Sequence, residues 1–262
     1  MITIPFFKYQ GAGNDFILID NRSENFNNLS TKDIKNLCDR RFGIGADGLM
    51  LLNNHADFDF EMLYYNADGR LGSMCGNGGR CIVAFAHYLK VIDLETNFLA
   101  VDGPHYAKIS ATGNWVELQM IDVNQIFADE EAFVLNTGSP HYVKQVTGLE
   151  TLNVYQAGYD IRNNEKYKTE GINVNFIEDK GDHFFVRTFE RGVEDETFAC
   201  GTGVTAVAMA MAQKAAKRGR LSQPIQVKGG DLRIDFDYDG TTFSNVFLCG
   251  PAELVFEGSV AV

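Results

Sequence analysis

Apolar and polar positions alternate with a period of two in many short stretches of this chain, and shift to a helical period in a few places. The opening stretch, Ile2 to Tyr9, is rich in β-formers and predicts an extended segment, followed by a turn at Gly11-Ala12-Gly13-Asn14-Asp15 and a strand over Phe16 to Ile19. Ser30-Thr31-Lys32-Asp33 has the form of a capping box, and Ile34, Leu37 and Cys38 recur at helical spacing, predicting a short helix to about Arg41. Gly43 to Gly48 is too rich in glycine for a helix interior. Leu49 to Leu52 and Phe58 to Tyr65 predict strands, the second ending at the turn Asn66-Ala67-Asp68-Gly69. After Cys75 a strong helix is predicted, with Ile82, Phe85, Ala86 and Leu89 on one face. Short strands follow, separated by Asp102-Gly103-Pro104 and Thr112-Gly113-Asn114, and Trp115 to Met120 alternates.

The second half repeats the theme. Val134 and Leu135 lead into a turn over Asn136 to His141, and Tyr142, Val143 and Val146 follow. Arg162 to Glu170 is charged and suits an exposed loop or helix; Asn173 to Ile177 and His183 to Phe189 predict strands. Val204, Val207, Ala208, Met211 and Ala215 mark a helix apolar almost all round, hence central and buried, with a basic end over Lys214 to Arg220. Strands resume at Ile225 to Val227, Asp231 to Tyr238 and Thr242 to Leu248, the last two joined by Asp239-Gly240. An acidic stretch, Asp122 to Glu131, interrupts the strands and is the candidate boundary. The expected fold is α+β: two pseudo-symmetric domains, residues 1–122 and 123–249, each a curved, mostly antiparallel sheet around a central helix, with the tail 250–262 able to pack back onto the first and the active-site cleft between them.

Composition narrows the function classes. A chain of 262 residues that is 45% hydrophobic, with 20 Phe and 10 Tyr, has the means to bury a sizeable core. A formal net charge of −12 argues against nucleic-acid and anionic-membrane partners, both of which need a basic face. Five cysteines, an odd number with no C-x-x-C pair, argue against a secreted disulfide framework and for a reducing compartment. Met1 to Gln10 has neither a basic n-region nor a small-residue cleavage site, and the longest near-apolar run, Val204 to Ala212, is too short to span a bilayer. A soluble, cytoplasmic chain is expected.

Two of those cysteines stand in the same setting. Ser73-Met74-Cys75-Gly76-Asn77-Gly78-Gly79-Arg80 and Thr197-Phe198-Ala199-Cys200-Gly201-Thr202-Gly203 each run from a polar loop through Cys-Gly-x-Gly into a helix. A helix start favours a thiolate by roughly 0.3–1 kcal/mol, and its unpaired N–H groups bind a carboxylate. Glycines beside each cysteine let the backbone approach a ligand. Two such ends facing each other would grip a substrate carboxylate and set a sulfur on each side of the adjacent α-carbon, one thiolate removing the α-proton and the opposite thiol returning one. That chemistry needs no cofactor, and no metal-ligand cluster or nucleotide loop stands out. Cys38, Cys81 and Cys249 lack this setting and read as small buried hydrophobes. A single nucleophilic cysteine aided by His141 leaves the second cysteine unexplained, a zinc site wants closer Cys/His spacing, and a redox dithiol stays open.

The motifs together resemble the diaminopimelate epimerase family. The matching stretches are Gly11-Ala12-Gly13-Asn14-Asp15-Phe16, Arg41-Phe42-Gly43-Ile44-Gly45-Ala46-Asp47-Gly48, Asn66-Ala67-Asp68-Gly69, Met74-Cys75-Gly76-Asn77-Gly78-Gly79-Arg80-Cys81, Pro140-His141, Glu190-Arg191-Gly192 and Ala199-Cys200-Gly201-Thr202-Gly203, in family order. The resemblance implies cofactor-independent interconversion of LL- and meso-diaminopimelate, with Cys75 and Cys200 as the acid/base pair, in lysine and cell-wall precursor synthesis. It implies that Gly76-Asn77 and Gly201-Thr202 grip the α-carboxylate, that Asn14, Asn66, Asn173 and Glu190-Arg191 hold the substrate's polar groups, and that His141 and Glu190 lie beside the thiols. It also implies a homodimer. Asn77 and Glu190-Arg191-Gly192 favour this family over the proline racemase type. Two positions depart from the family pattern: Gly48, where some members carry Gln, and Ser139, where the family often has Asn.

Overall fold

The computed structural model describes residues 3–262; Ile2, with which the first predicted strand opens, lies outside them. The chain divides into two compact units, the first running to Leu118 and taking back Gly250–Val262, the second spanning Gln119–Cys249.

In the first unit β1 (Thr3–Gly11) and β2 (Asn14–Asp20) form an antiparallel hairpin with Gly11 opposite Asn14. The loop residues Ala12 (φ 53°) and Gly13 (φ 83°) are both left-handed, the geometry that matches the twist of the flanking strands. Then come α1 (Thr31–Cys38), β3 (Gly48–Asn53), β4 (Phe60–Asn66), α2 (Gly76–Tyr88), β5 (Glu95–Ala100), β6 (Gly103–Ile109) and β7 (Trp115–Gln119). A late strand, β17 (Glu253–Ala261), returns to pair antiparallel with β1, Thr3 opposite Ala261. β2 with β3 and β4 with β5 run parallel; β1–β2, β3–β4, β5–β6 and β6–β7 are antiparallel.

Both faces of β2 and β3 are buried, so these strands are continuous apolar runs rather than alternating ones. Ile17, Ile19, Leu49 and Leu51 share a core with Ile34, Leu37 and Cys38 of α1. The intervening Phe16 and Met50 lie towards α2, where a Cβ at Gly78 would overlap the Met50 side chain. α2 is buried from Gly76 through Ala86. The capping box of α1 forms: Ser30 Oγ accepts from Asp33 N–H at 3.2 Å and the Asp33 carboxylate accepts from Ser30 N–H at 3.0 Å. The helix ends at Cys38, short of Arg41, because the Asp39 carboxylate captures the Arg41 and Phe42 N–H groups at 2.8 Å each.

The second unit contains β8 (Ile126–Asp129), β9 (Ala132–Asn136), β10 (Pro140–Gln145), α3 (Val154–Arg162), β11 (Asn173–Asp179), β12 (Phe184–Glu190), β13 (Asp195–Thr197), α4 (Gly201–Lys214), β14 (Gly219–Val227), β15 (Gly230–Tyr238) and all but the last two residues of β16 (Phe243–Pro251). Its connectivity repeats that of the first. β10–β11 and β12–β14 are parallel, like β2–β3 and β4–β5, and one helix of each unit fills each parallel crossover. α4 is buried from Gly201 through Ala212 apart from Thr202, and lies against β9, β10, β11, β14 and β15. α3 shares a separate core with Val174, Phe176 and Phe189. Each unit is thus a curved, mostly antiparallel sheet around one central helix, with a second helix on the outer side.

Two segments differ from the sequence-based expectation. α3 occupies a stretch for which no element was expected, capped by Asn153, whose Oδ1 accepts from Gln156 N–H at 3.1 Å, while the charged stretch after Arg162 forms the exposed loop expected of it. α4 ends at Lys214, and Ala216 (φ 51°) and Gly219 (φ 91°) turn the basic segment into β14. Among the described residues no helix is long and apolar enough to cross a membrane.

Candidate active site

Cys75 and Cys200 occupy matching positions in the two units. Each is the N-cap of its central helix, in extended backbone with φ −114° and ψ 125° at Cys75 and φ −117° and ψ 109° at Cys200. Neither side chain caps its own helix, so neither sulfur occupies the first-turn N–H groups. In each case the helix ladder starts from the cysteine carbonyl, which accepts from Gly79 N–H at 2.7 Å or Val204 N–H at 3.0 Å. At Gly203 space requires the glycine, since a Cβ would overlap the hydrogen-bonded Asn175 Oδ1; at Gly79 a Cβ would meet the flexible end of Met74.

Around Cys75 a chain of polar side chains fixes the geometry. Asn14 Oδ1 accepts from Cys75 Sγ at 3.6 Å and from Asn77 Nδ2 at 3.3 Å. The Asn14 amide cannot turn round, because its Nδ2 donates to the Asp47 carboxylate at 2.5 Å. Asp47 is held by Arg40 at 2.7 Å, and Arg40 also grips Asp15 at 2.6 Å. Burial pushes the Asp15 carboxyl up, but hydrogen bonds from Arg40 and the buried Lys8 outweigh it and hold the group at about 2. On the other side the fully buried Arg80 donates to Asn77 Oδ1 at 3.1 Å. Asn66 is exposed at the end of β4, opposite Gly48.

Around Cys200 the neighbours differ. Its Sγ lies 3.5 Å from Thr202 Oγ1, and the Thr202 carbonyl accepts from Thr137 Oγ1 at 2.8 Å. Asn173 is buried with its amide engaged by the protein itself: Nδ2 donates to Ser139 Oγ at 2.9 Å and Pro140 O at 3.0 Å, and Oδ1 accepts from Arg191 N–H at 2.9 Å. Arg191 is exposed and also reaches Ser139 Oγ, at 3.3 Å. Glu190 is half-buried at the end of β12. His141 is fully buried; burial, aided by the Arg191 charge, pushes its imidazole down to about 3, so it is neutral. Asp47, Arg40, Arg80 and Asn175 were not among the residues singled out from sequence, although Asp47 and Arg80 lie inside the matching stretches.

A family model described as Diaminopimelate epimerase matches residues 6–124 and 133–255. The diaminopimelate epimerase of Flavobacterium psychrophilum is 48% identical over 255 residues, covering 97% of this chain and 99% of that one. That of Chlorobaculum tepidum is 41% identical over 260 residues, covering 96% and 99%. The chain belongs to the diaminopimelate epimerase family. Among solved structures, a Bacillus anthracis phenazine biosynthesis protein of the PhzF family matches all of both chains with a TM-score of 0.76 at 14% identity. A hydroxyproline epimerase from Agrobacterium vitis matches with a TM-score of 0.70 at 13% identity, over 99% of this chain and 93% of that one. At such identity these two likenesses speak for the fold.

Within the diaminopimelate epimerase family, the two departures noted above have structural explanations. At Gly48 the space is already filled: a Cβ there would overlap the Tyr64 ring and lie 2.6 Å from the Tyr65 carbonyl oxygen. Ser139 is not a bystander, since its hydroxyl accepts from both Asn173 and Arg191.

Proposed function

We propose that this chain interconverts LL- and meso-diaminopimelate without a cofactor, Cys75 and Cys200 acting on opposite faces of one α-carbon. The observation that carries the reading is the repeated device: a cysteine as N-cap of each unit's central helix, in nearly the same backbone conformation, with its side chain kept off the helix. One sulfur, as thiolate, takes the α-proton; the other, as thiol, donates a proton to the opposite face. The stereocentre inverts and the two sulfurs exchange protonation states, so the protons balance. First-turn N–H groups at Gly76-Asn77 and Gly201-Thr202 hold the α-carboxylate and stabilise the carbanionic transition state. Asn14, Asn66, Asn173, Glu190 and Arg191 complete the polar surroundings of the substrate, and His141 and Glu190 act beside the thiols. The place of the reaction is cytoplasmic synthesis of lysine and cell-wall precursors, by a homodimer.

The test is incubation with LL-diaminopimelate in D2O. Meso product with deuterium at the inverted α-carbon is expected, and its loss in Cys75→Ala and in Cys200→Ala separately. Epimerisation intact in either variant ends the two-base reading.

A further inference from the structure

Asn175 is fully buried on β11, two residues beyond Asn173, and three elements meet on its side chain. Its Nδ2 donates to the Tyr142 carbonyl at 3.1 Å and lies 3.1 Å from His141 Nδ1. Its Oδ1 accepts from Thr188 Oγ1 on β12 at 3.0 Å. The same oxygen is packed against Gly203, in the first turn of α4, so closely that no Cβ fits there. A carbonyl only accepts, so the group facing Tyr142 O must be the NH2, and the amide has one orientation. With one Nδ2 proton on Tyr142 O, the other falls to His141 Nδ1, which must then accept. A neutral imidazole that accepts at Nδ1 carries its proton at Nε2. That Nε2 is buried and has no hydrogen-bond partner among the described residues. A buried donor left unmade costs roughly 1–3 kcal/mol, so its retention beside a catalytic helix start asks for a ligand acceptor.

We propose that Asn175 is a positioning residue for the reaction: it fixes His141 in the Nε2–H form, so that the imidazole donates to the anionic groups gathered at the start of α4, rather than acting as a base. The inference rests on the function proposed above. His141 is linked through Asn175 to the first turn of α4: Asn175 Nδ2 lies 3.1 Å from His141 Nδ1, and Asn175 Oδ1 packs against Gly203. Thr188 holds Asn175 from the far side.

The test combines nitrogen NMR of 15N-histidine-labelled chain with kinetics. In the parent protein the His141 resonances are expected to show an unprotonated Nδ1 and a protonated Nε2. Asn175→Asp, nearly the same shape, replaces the donor by an acceptor and should reverse the two. Epimerisation kcat and kcat/KM should then fall together by about 100-fold, with KM little changed, as for an interaction made in the transition state. If that variant fails to fold, Asn175→Ala should give a mixture of both tautomers with the same kinetic direction. A proton on Nδ1 in the parent protein, or an unchanged Nε2–H form with full kcat in a folded variant, overturns the proposal. The NMR readout needs no turnover. An active parent protein with the wrong tautomer therefore sinks only the role of Asn175, whereas the expected tautomer in a chain that never exchanges the α-proton sinks the proposed function and that role with it.

Discussion

Asn14 Oδ1 lies 3.6 Å from Cys75 Sγ, and its amide is locked with that oxygen forward by Asp47. A carbonyl oxygen only accepts a hydrogen bond, here from the S–H, so this contact suits the thiol form. Cys200 instead lies beside a hydroxyl, which is able to donate to a thiolate as well as to accept. Asn14→Ala removes the acceptor shared by Cys75 and Asn77 while leaving the Arg40–Asp47 ion pair in place. We expect kcat/KM to fall by about 10–100-fold, equivalent to roughly 1.4–2.7 kcal/mol of transition-state stabilisation, with little change in the thermal midpoint. Steady-state epimerisation and thermal melts read the two quantities. A large drop in melting temperature with the activity loss would assign Asn14 to folding instead.

The cysteines should separate by reactivity. Burial pushes the thiols of Cys38 and Cys81 up to about 12, whereas Cys75 is only half-buried. The thiolate is the reactive form. Brief alkylation with iodoacetamide at about pH 8 should therefore label Cys75 ahead of Cys38 and Cys81. Peptide mass mapping over time gives the order, and early labelling of either buried thiol would contradict it.

A side chain at position 48 should be costly. Gly48→Ala places a methyl against the Tyr64 ring and the Tyr65 carbonyl, and overpacking of this kind costs about 1–3 kcal/mol. Tyr64→Ala should relieve only the ring's share, because the Tyr65 oxygen belongs to the backbone. A double-mutant cycle by denaturant titration should show coupling between positions 48 and 64 together with a residual penalty. Additive effects would mean that the ring moves aside freely.

Buried, neutral His141 also makes stability depend on pH. Its pKa drops from an ordinary value of 6.5 to about 3 in the fold. Between these values the unfolded chain binds a proton that the folded chain does not, so stability is present above about pH 6.5 and is lost as the pH falls towards 3, by at most about 1.4 kcal/mol per pH unit. His141→Gln should flatten this slope between about pH 6.5 and 5, above the range where most carboxylates titrate. Urea titrations at several pH values test it, and an unchanged slope would show that His141 is not the group responsible.

What the sequence revealed, and what it hid, follows from how each residue earns its place. The central helices were legible because both are apolar runs opened by Cys-Gly-x-Gly. α3 was hidden because it buries little: Val154 and Gly158 are its buried residues, and Tyr155 and Tyr159 face solvent. Gly158 weakens the helical signal, yet a Cβ there would overlap Phe189, so tertiary contact overrides propensity. In the site, the residues flanking each cysteine were legible as motifs. Asn175 was not, since its importance lies in what it touches across β10, β12 and α4. One signal was present: in Asn173-Val174-Asn175-Phe176-Ile177, Val174 and Phe176 face the core shared with α3, leaving Asn175 polar on the other buried face.

The pairing of β17 with β1 has a consequence for how the chain is made. Residues 253–261 follow the whole second unit in the chain, so the edge of β1 waits for its neighbour until that unit has been made. Through that interval Thr3 to Gln10 present unpaired N–H and C=O groups, the condition under which strands seek foreign edges. The edge of β1 is thus closed only once β17 has been made, and until then it is open to aggregation.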